Sequence, residues 1–162
     1  MSTAIIITGT ICSGKTTVSR KISKCLNIDF LSEENVFPKS LMAILDKIKN
    51  CKYPNTVIIE HACILNFIND INSYFDKQII ILLNVCDDIL INNLNIRKLN
   101  NGVGDYLNVD IFEMKKDIEK QFAKLKDDKI TYTADIIENS DYDIEYENII
   151  EFIKQNNGEK ET

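Results

Sequence analysis

The residues with the most definite chemistry stand at Gly9-Thr10-Ile11-Cys12-Ser13-Gly14-Lys15-Thr16, which fits the pattern G-x-x-x-x-G-K-[ST] throughout. That spacing suits the holding of phosphate oxygens. Gly9 and Gly14 permit dihedrals and close approaches that a Cβ would block. Successive backbone N–H groups, those of Thr10, Cys12 and Ser13 among them, then turn into one concave nest. The N-terminus of a following helix adds partial positive charge to it. Lys15 can reach the outer phosphates of a nucleoside triphosphate. The Thr16 hydroxyl suits Mg²⁺, and Thr17 can help hold the innermost phosphate.

Such a loop needs a strand before it and a helix after it, and the flanking residues supply both. Ala4-Ile5-Ile6-Ile7-Thr8 is a β-branched run of the buried-strand type. Lys15 to Leu26 carries Val18 and Ile22, with Cys25 or Leu26, on one helical face. The same alternation continues along the chain. Strands are expected at 28–31, 56–60, 78–85 and about 135–138. Helices are expected at about 38–50, 64–75, 87–99, 110–125 and 146–156. Pro38 is expected in a helical first turn, and Asp87 and Asp110 as caps. Asn100 to Asp105 is the richest turn segment. Strands that each feed a helix predict an α/β three-layer sandwich, a parallel five-stranded sheet with helices on both faces.

With those elements in place, Gly9 to Thr16 resembles the P-loop of the nucleoside monophosphate kinase, shikimate kinase and gluconate kinase group, which includes adenylate kinase. Leu82 to Arg97 is similar to that group's fourth strand, helix and start of the lid. Ala134 to Ser140 resembles its last strand and the loop near the adenine, which makes Asn139 a candidate for nucleotide contact. The resemblance implies a P-loop NTPase fold with strand order 2-3-1-4-5. It also implies ATP and Mg²⁺ as cofactors, with a short lid at about 98–109.

Further candidates follow from place as well as type. Glu60 closes the run Val57-Ile58-Ile59 as a Walker B acid does; there it could hold Mg²⁺ through water or meet the acceptor. Similar kinases often carry Asp followed by Gly, whereas this chain has Glu60-His61. Asp29, Glu33 and Glu34 surround the end of the second strand, and ligands of open α/β sheets sit beyond the strands' carboxyl ends. Shikimate- and gluconate-type kinases carry an acid in this region. Glu33 or Glu34 is therefore the candidate base or acceptor-positioning group, with a solvated acidic loop as the competing reading.

The chain has two arginines, Arg20 and Arg97. In similar kinases an Arg at the place of Arg97 lies over the transferring phosphoryl group, where charge stabilisation matters most. The second Arg common in such lids is missing. Arg20 reads as a partner for surface acids. His61, the one histidine, is open between a structural role and proton acceptance.

Composition narrows the function classes. The chain has 162 residues, 19 Lys plus Arg against 25 Asp plus Glu, and a net charge of −6. One domain over 1–162 is expected, with a frayed tail at 157–162. The acidic balance lacks the basic field of a duplex-binding or anionic-membrane protein, so neither nucleic acid nor membrane is expected as a partner. Five cysteines, an odd count with no CxxC pair, suggest neither a disulfide framework nor a zinc site. The first apolar run, Ala4 to Ile7, is too short for a signal peptide or a span. A cytoplasmic or nuclear location is expected.

Together these readings give an ATP-dependent kinase that transfers a γ-phosphoryl group to a small acceptor, a nucleoside monophosphate or a nucleoside. Lys15, Arg97, Glu33 and Glu60 would carry the chemistry. The alternatives are a sugar-acid or metabolite kinase, a polynucleotide 5′-kinase, and a nucleotide-switch ATPase acting as an assembly factor.

Overall fold

The computed structural model describes residues 1–53, 55–101, 110–125 and 129–158. Its centre is β1 (Thr3–Thr8), whose side chains are buried on both faces of the sheet. Ile5 and Ile7 point to one side, and Ala4 and Ile6 to the other. A strand covered twice must be apolar at every position, and a continuous run meets that need where an alternating one would not.

β1 pairs in parallel with β3 (Thr56–Glu60) and with β4 (Lys77–Val85). β2 (Asp29–Leu31) adds outside β3, and β5 (Ile130–Ile136) outside β4. The order is β2-β3-β1-β4-β5, the expected 2-3-1-4-5. Helices α1 (Lys15–Leu26) and α6 (Tyr142–Asn157) cover the Ile5/Ile7 face through Val18, Ile22, Ile149 and Ile153. The other face is covered by α2 (Leu41–Asn50), a 3-10 turn at Ile64–Phe67, α3 (Ile68–Asn72) and α5 (Ile111–Ala123). Each isoleucine fully buried in these layers contributes on the order of 2 kcal/mol over an exposed one.

Several boundaries differ from the sequence reading. Pro38 does not enter α2; it follows a cis Phe37–Pro38 peptide and precedes Ser40. Ser40 makes the better start, because its Oγ accepts from the Ala43 N–H at 3.1 Å. The single helix expected at 64–75 is a 3-10 turn followed by a short α-helix. Helix α4 (Asp87–Asn101) begins at Asp87, and Cys86 occupies the cap position with its carbonyl accepting from Leu90. β5 starts five residues earlier than expected, because it pairs with Ile79–Val85 along its whole length. α6 also starts earlier, where Asp141 Oδ1 accepts from the N–H groups of Asp143 and Ile144. Asp110 caps α5 as expected.

Helix α4 runs through Asn101, so the expected lid begins as helix at 98–101. The rest of that lid, 102–109, lies outside the described residues, as do Pro54 and 159–162. Asn157, expected to be frayed, is helical and donates to Thr56 Oγ1 at 3.1 Å.

The parallel register brings the carboxyl ends of the strands to one edge of the sheet. Ile7 lies beside Glu60, Leu31 beside Ile59, and Thr8 beside Leu82. The loop after β1, the turn after β2 and the end of β3 therefore meet there.

Candidate functional site

The phosphate loop turns from β1 into α1 with the backbone its glycines require. Gly9 stands at φ 156, and a Cβ there would lie 2.8 Å from Ser13 Oγ and 2.9 Å from the Leu83 carbonyl oxygen. Gly14 stands at φ 85 immediately before the first helical residue, in the region that glycine occupies most readily. Cys12 is left-handed too, at φ 63, although it carries a side chain. Its carbonyl oxygen accepts from Asn93 Nδ2 on α4 at 3.0 Å. Nothing in the sequence pattern marks Asn93 for this part.

Beside the loop lies a cleft of about 380 Å³. Cys12, Gly14, Lys15, Thr16 and Thr17 form its floor, Glu33 and Glu34 one wall, and Glu60, His61 and Cys63 another. Arg97 enters from α4 and Met114 from α5. The cleft thus joins Lys15, Glu33, Glu60 and Arg97, four residues singled out from the sequence for chemistry. Thr10 and Ser13 are buried within the loop, and Gly9 packs beneath it. Asn139 does not line the cleft. It sits exposed in a turn after β5, closed by Ser140 Oγ accepting from the Ile137 N–H at 2.9 Å.

Lys15 is only 8% exposed, and its Nζ donates to the Thr10 carbonyl oxygen at 2.6 Å. Burial brings its pKa down to about 8; nearby Glu60 opposes that fall and Arg97 adds to it. Glu60 is 7% exposed, and its Oε2 faces the Thr16 hydroxyl at 3.4 Å. Burial pushes its carboxyl up, against the pull of Lys15, His61 and Thr16. The Cys12 thiol is pushed up by burial, with Arg97 and Lys15 opposing.

The Glu33/Glu34 wall is braced from several sides. Ser32 N–H donates to Asn35 Oδ1 at 2.8 Å, and Asn35 Nδ2 donates to the Phe30 carbonyl. The Glu34 N–H donates to Ser32 Oγ at 3.2 Å. Arg20 pairs with the Glu34 carboxylate. Glu33 turns the other way, and its Oε1 lies 2.9 Å from His61 Nε2. His61 Nδ1 accepts from the Cys63 N–H at 2.9 Å.

The donor set fits the groups that the loop pattern calls for. A buried ammonium, the backbone at two glycines and a helix N-terminus suit a polyphosphate. A hydroxyl and a carboxylate 3.4 Å apart suit a hard cation such as Mg²⁺. Among the described residues no group of three or more His, Cys, Asp or Glu side chains could hold a metal. Nor is any helix among them long and apolar enough to cross a membrane.

No protein-family model and no curated protein matches the sequence. The fold, however, is shared with solved structures of small-molecule kinases. Deoxyadenosine kinase from M. mycoides, with the product dCMP and a flexible dCDP bound, matches with a TM-score of 0.62 at 18% identity, over 94% of this chain and 98% of that one. A gluconokinase from Sinorhizobium meliloti 1021 matches with a TM-score of 0.65 at 8% identity, over 95% and 93%. Shikimate kinase from Aquifex aeolicus matches at 0.58 and 16% identity, over 94% and 97%. The strand order and the loop–helix junction are those of the P-loop kinase α/β fold.

Proposed function

We propose that this protein is an ATP-dependent kinase whose acceptor is the hydroxyl group of a small neutral molecule, with a nucleoside as the leading class. The observation that carries the reading is the Glu33 carboxylate, held 2.9 Å from His61 in the same cleft as Lys15, Thr16, Glu60 and Arg97. A phosphoryl-transfer site needs fixed positive charge where oxygens develop negative charge, and a group that takes the acceptor's proton. Lys15 and Arg97 suit the first need, and Glu33 suits the second.

In that mechanism the acceptor O–H gives its proton to Glu33. The acceptor oxygen forms a bond to the γ-phosphorus as the bond to the β,γ-bridging oxygen breaks, and ADP leaves with that electron pair. Lys15 and the loop amides hold the phosphates in line, and Arg97 faces the group in transit. Thr16 and Glu60 would hold Mg²⁺, which when bound neutralises charge on the phosphate oxygens.

Charge favours a hydroxyl acceptor over a phosphate one. The cleft carries Glu33, Glu34 and Glu60 against Lys15 and Arg97. From Leu99 to Met114 the sequence adds no Lys or Arg. A nucleoside monophosphate, or a sugar acid, would bring further negative charge to Glu33 and Glu60, Glu34 being paired with Arg20. A nucleoside would not. The residues after Glu34 also form a hollow of about 410 Å³, lined by Phe37, Pro38 and Met42 together with Asp46, Lys47 and Asn50. Phe37 is 96% exposed there, and an aromatic ring offers a base a stacking face.

The reading is tested by incubating the protein with MgATP and, separately, deoxyadenosine, deoxycytidine, gluconate, shikimate and dCMP, with products followed by ³¹P NMR. It expects a phosphate monoester on a nucleoside hydroxyl. A diphosphate formed from dCMP, with no monoester from any hydroxyl acceptor, would contradict it.

A further inference from the structure

His61 stands where two fixed points meet. Its backbone N–H donates to the Ile7 carbonyl at 3.3 Å, which ties it to β1 just ahead of the phosphate loop. Its ring is mostly buried, and both nitrogens have partners. Nδ1 accepts from the Cys63 N–H at 2.9 Å, so this nitrogen is the unprotonated one. The proton of the neutral ring is thereby placed on Nε2, aimed at Glu33 Oε1 at 2.9 Å. Glu34, the neighbouring acid, is held away by Arg20.

From this geometry we infer that His61 is a positioning residue: it uses the Cys63 amide to fix its own tautomer and the Nε2 proton to fix Glu33 as the proton acceptor of the reaction. The inference rests on the kinase reading for the role of Glu33, but the tautomer and the pairing do not.

The chain contains one histidine, so its imidazole resonances need no assignment. In ¹H–¹⁵N spectra the neutral ring is expected as the Nε2–H tautomer, and Glu33→Ala is expected to move the Nε2–H resonance as its acceptor is lost. A neutral ring protonated on Nδ1, or an Nε2–H resonance unmoved by Glu33→Ala, overturns the pairing. Kinetics with MgATP and deoxyadenosine then separate positioning from a plain structural bond. Gln can place its amide N–H near the Nε2 position; Asn can reach the Cys63 amide but not Glu33. His61→Gln is expected to keep most of kcat. His61→Asn is expected to lower kcat about tenfold or more while leaving KM for ATP in place. Equal losses in the two variants, or a loss confined to KM for ATP, overturn the positioning role. If the wild type phosphorylates none of the hydroxyl acceptors, the kinase reading and the catalytic role of the pair fail together, whereas the NMR outcome still decides the pairing itself.

Discussion

Asn93 on α4 donates its side-chain N–H to the carbonyl oxygen of Cys12 at 3.0 Å, and Cys12 is a left-handed residue of the phosphate loop with a side chain. A Cβ-bearing residue at such a φ costs about 1–2 kcal/mol, so the loop needs neighbours that hold it there. One hydrogen bond from a packed helix is of the right size to offset much of that cost. Asn93→Ala should therefore weaken ATP binding about fivefold by calorimetry, the loss of roughly one such bond. An unchanged affinity would mean that the loop holds its shape without α4.

Lys15 titrates near 8 because it is buried, despite Glu60 close by. Near that pH a good part of the free protein carries a neutral amine, and bound phosphate oxygens favour the cation. ATP binding at pH 8.5 should take up a fraction of a proton, and little or none at this site at pH 6.5. Calorimetry in two buffers of different ionisation enthalpy measures the uptake; identical enthalpies at pH 8.5 would refute it. The sign for stability is also fixed. The folded pKa lies below the ordinary 10.5, so between about pH 8 and 10.5 the unfolded chain binds more protons at this group, and its contribution to stability rises with pH.

Arg97 faces the cleft from α4, opposite the loop that carries Lys15. A cation that acts on developing charge affects the chemical step more than ground-state binding. Arg97→Ala should lower kcat about 100-fold or more, with a much smaller change in ATP affinity. Arg97→Lys should restore little, because an ammonium lacks the planar two-pronged contact. Single-turnover rates read this directly, and a loss confined to ATP affinity would remove Arg97 from the chemical step.

Phe37 stands almost fully exposed and lines the hollow between the β2 turn and α2. If it stacks on an acceptor base, Phe37→Ala should raise KM for a nucleoside about tenfold while acceptor-free ATP hydrolysis stays put. Steady-state kinetics with deoxyadenosine make the comparison. An unchanged KM would place the base elsewhere.

Much of this architecture could be read from the sequence, for identifiable reasons. The bounds of α1 and β3 match the sequence reading to the residue, because motif, periodicity and apolar run agree there. β5 is less legible at its start: at this sheet edge only Ala134 and Ile136 are fully buried, while Ile130 and Tyr132 pack half-covered on the core and alternate with threonines. Apolar residues at Ile64, Leu65, Ile68, Ile71 and Phe75 suit one helix or two short ones equally well, and the chain forms two. In the cleft, Lys15, Thr16, Glu60 and Arg97 follow from a loop pattern and from the ends of strands and helices. The choice between Glu33 and Glu34 does not follow from sequence. It depends on Arg20 capturing one acid and His61 the other, pairings set by tertiary packing. Asn93 reaches Cys12 across 81 residues, and no local pattern announces such a contact.

In the proposed mechanism, ATP turnover is coupled to a hydroxyl acceptor. The most direct test is the initial rate of ADP release from MgATP with and without deoxyadenosine, in the wild type and in Lys15→Ala. Release is expected to rise about 100-fold or more with the acceptor, as correct positioning of two substrates allows, and to be lost in Lys15→Ala. Release at the same rate with and without the acceptor, still dependent on Lys15, would contradict it and point instead to an ATPase that works as a nucleotide switch.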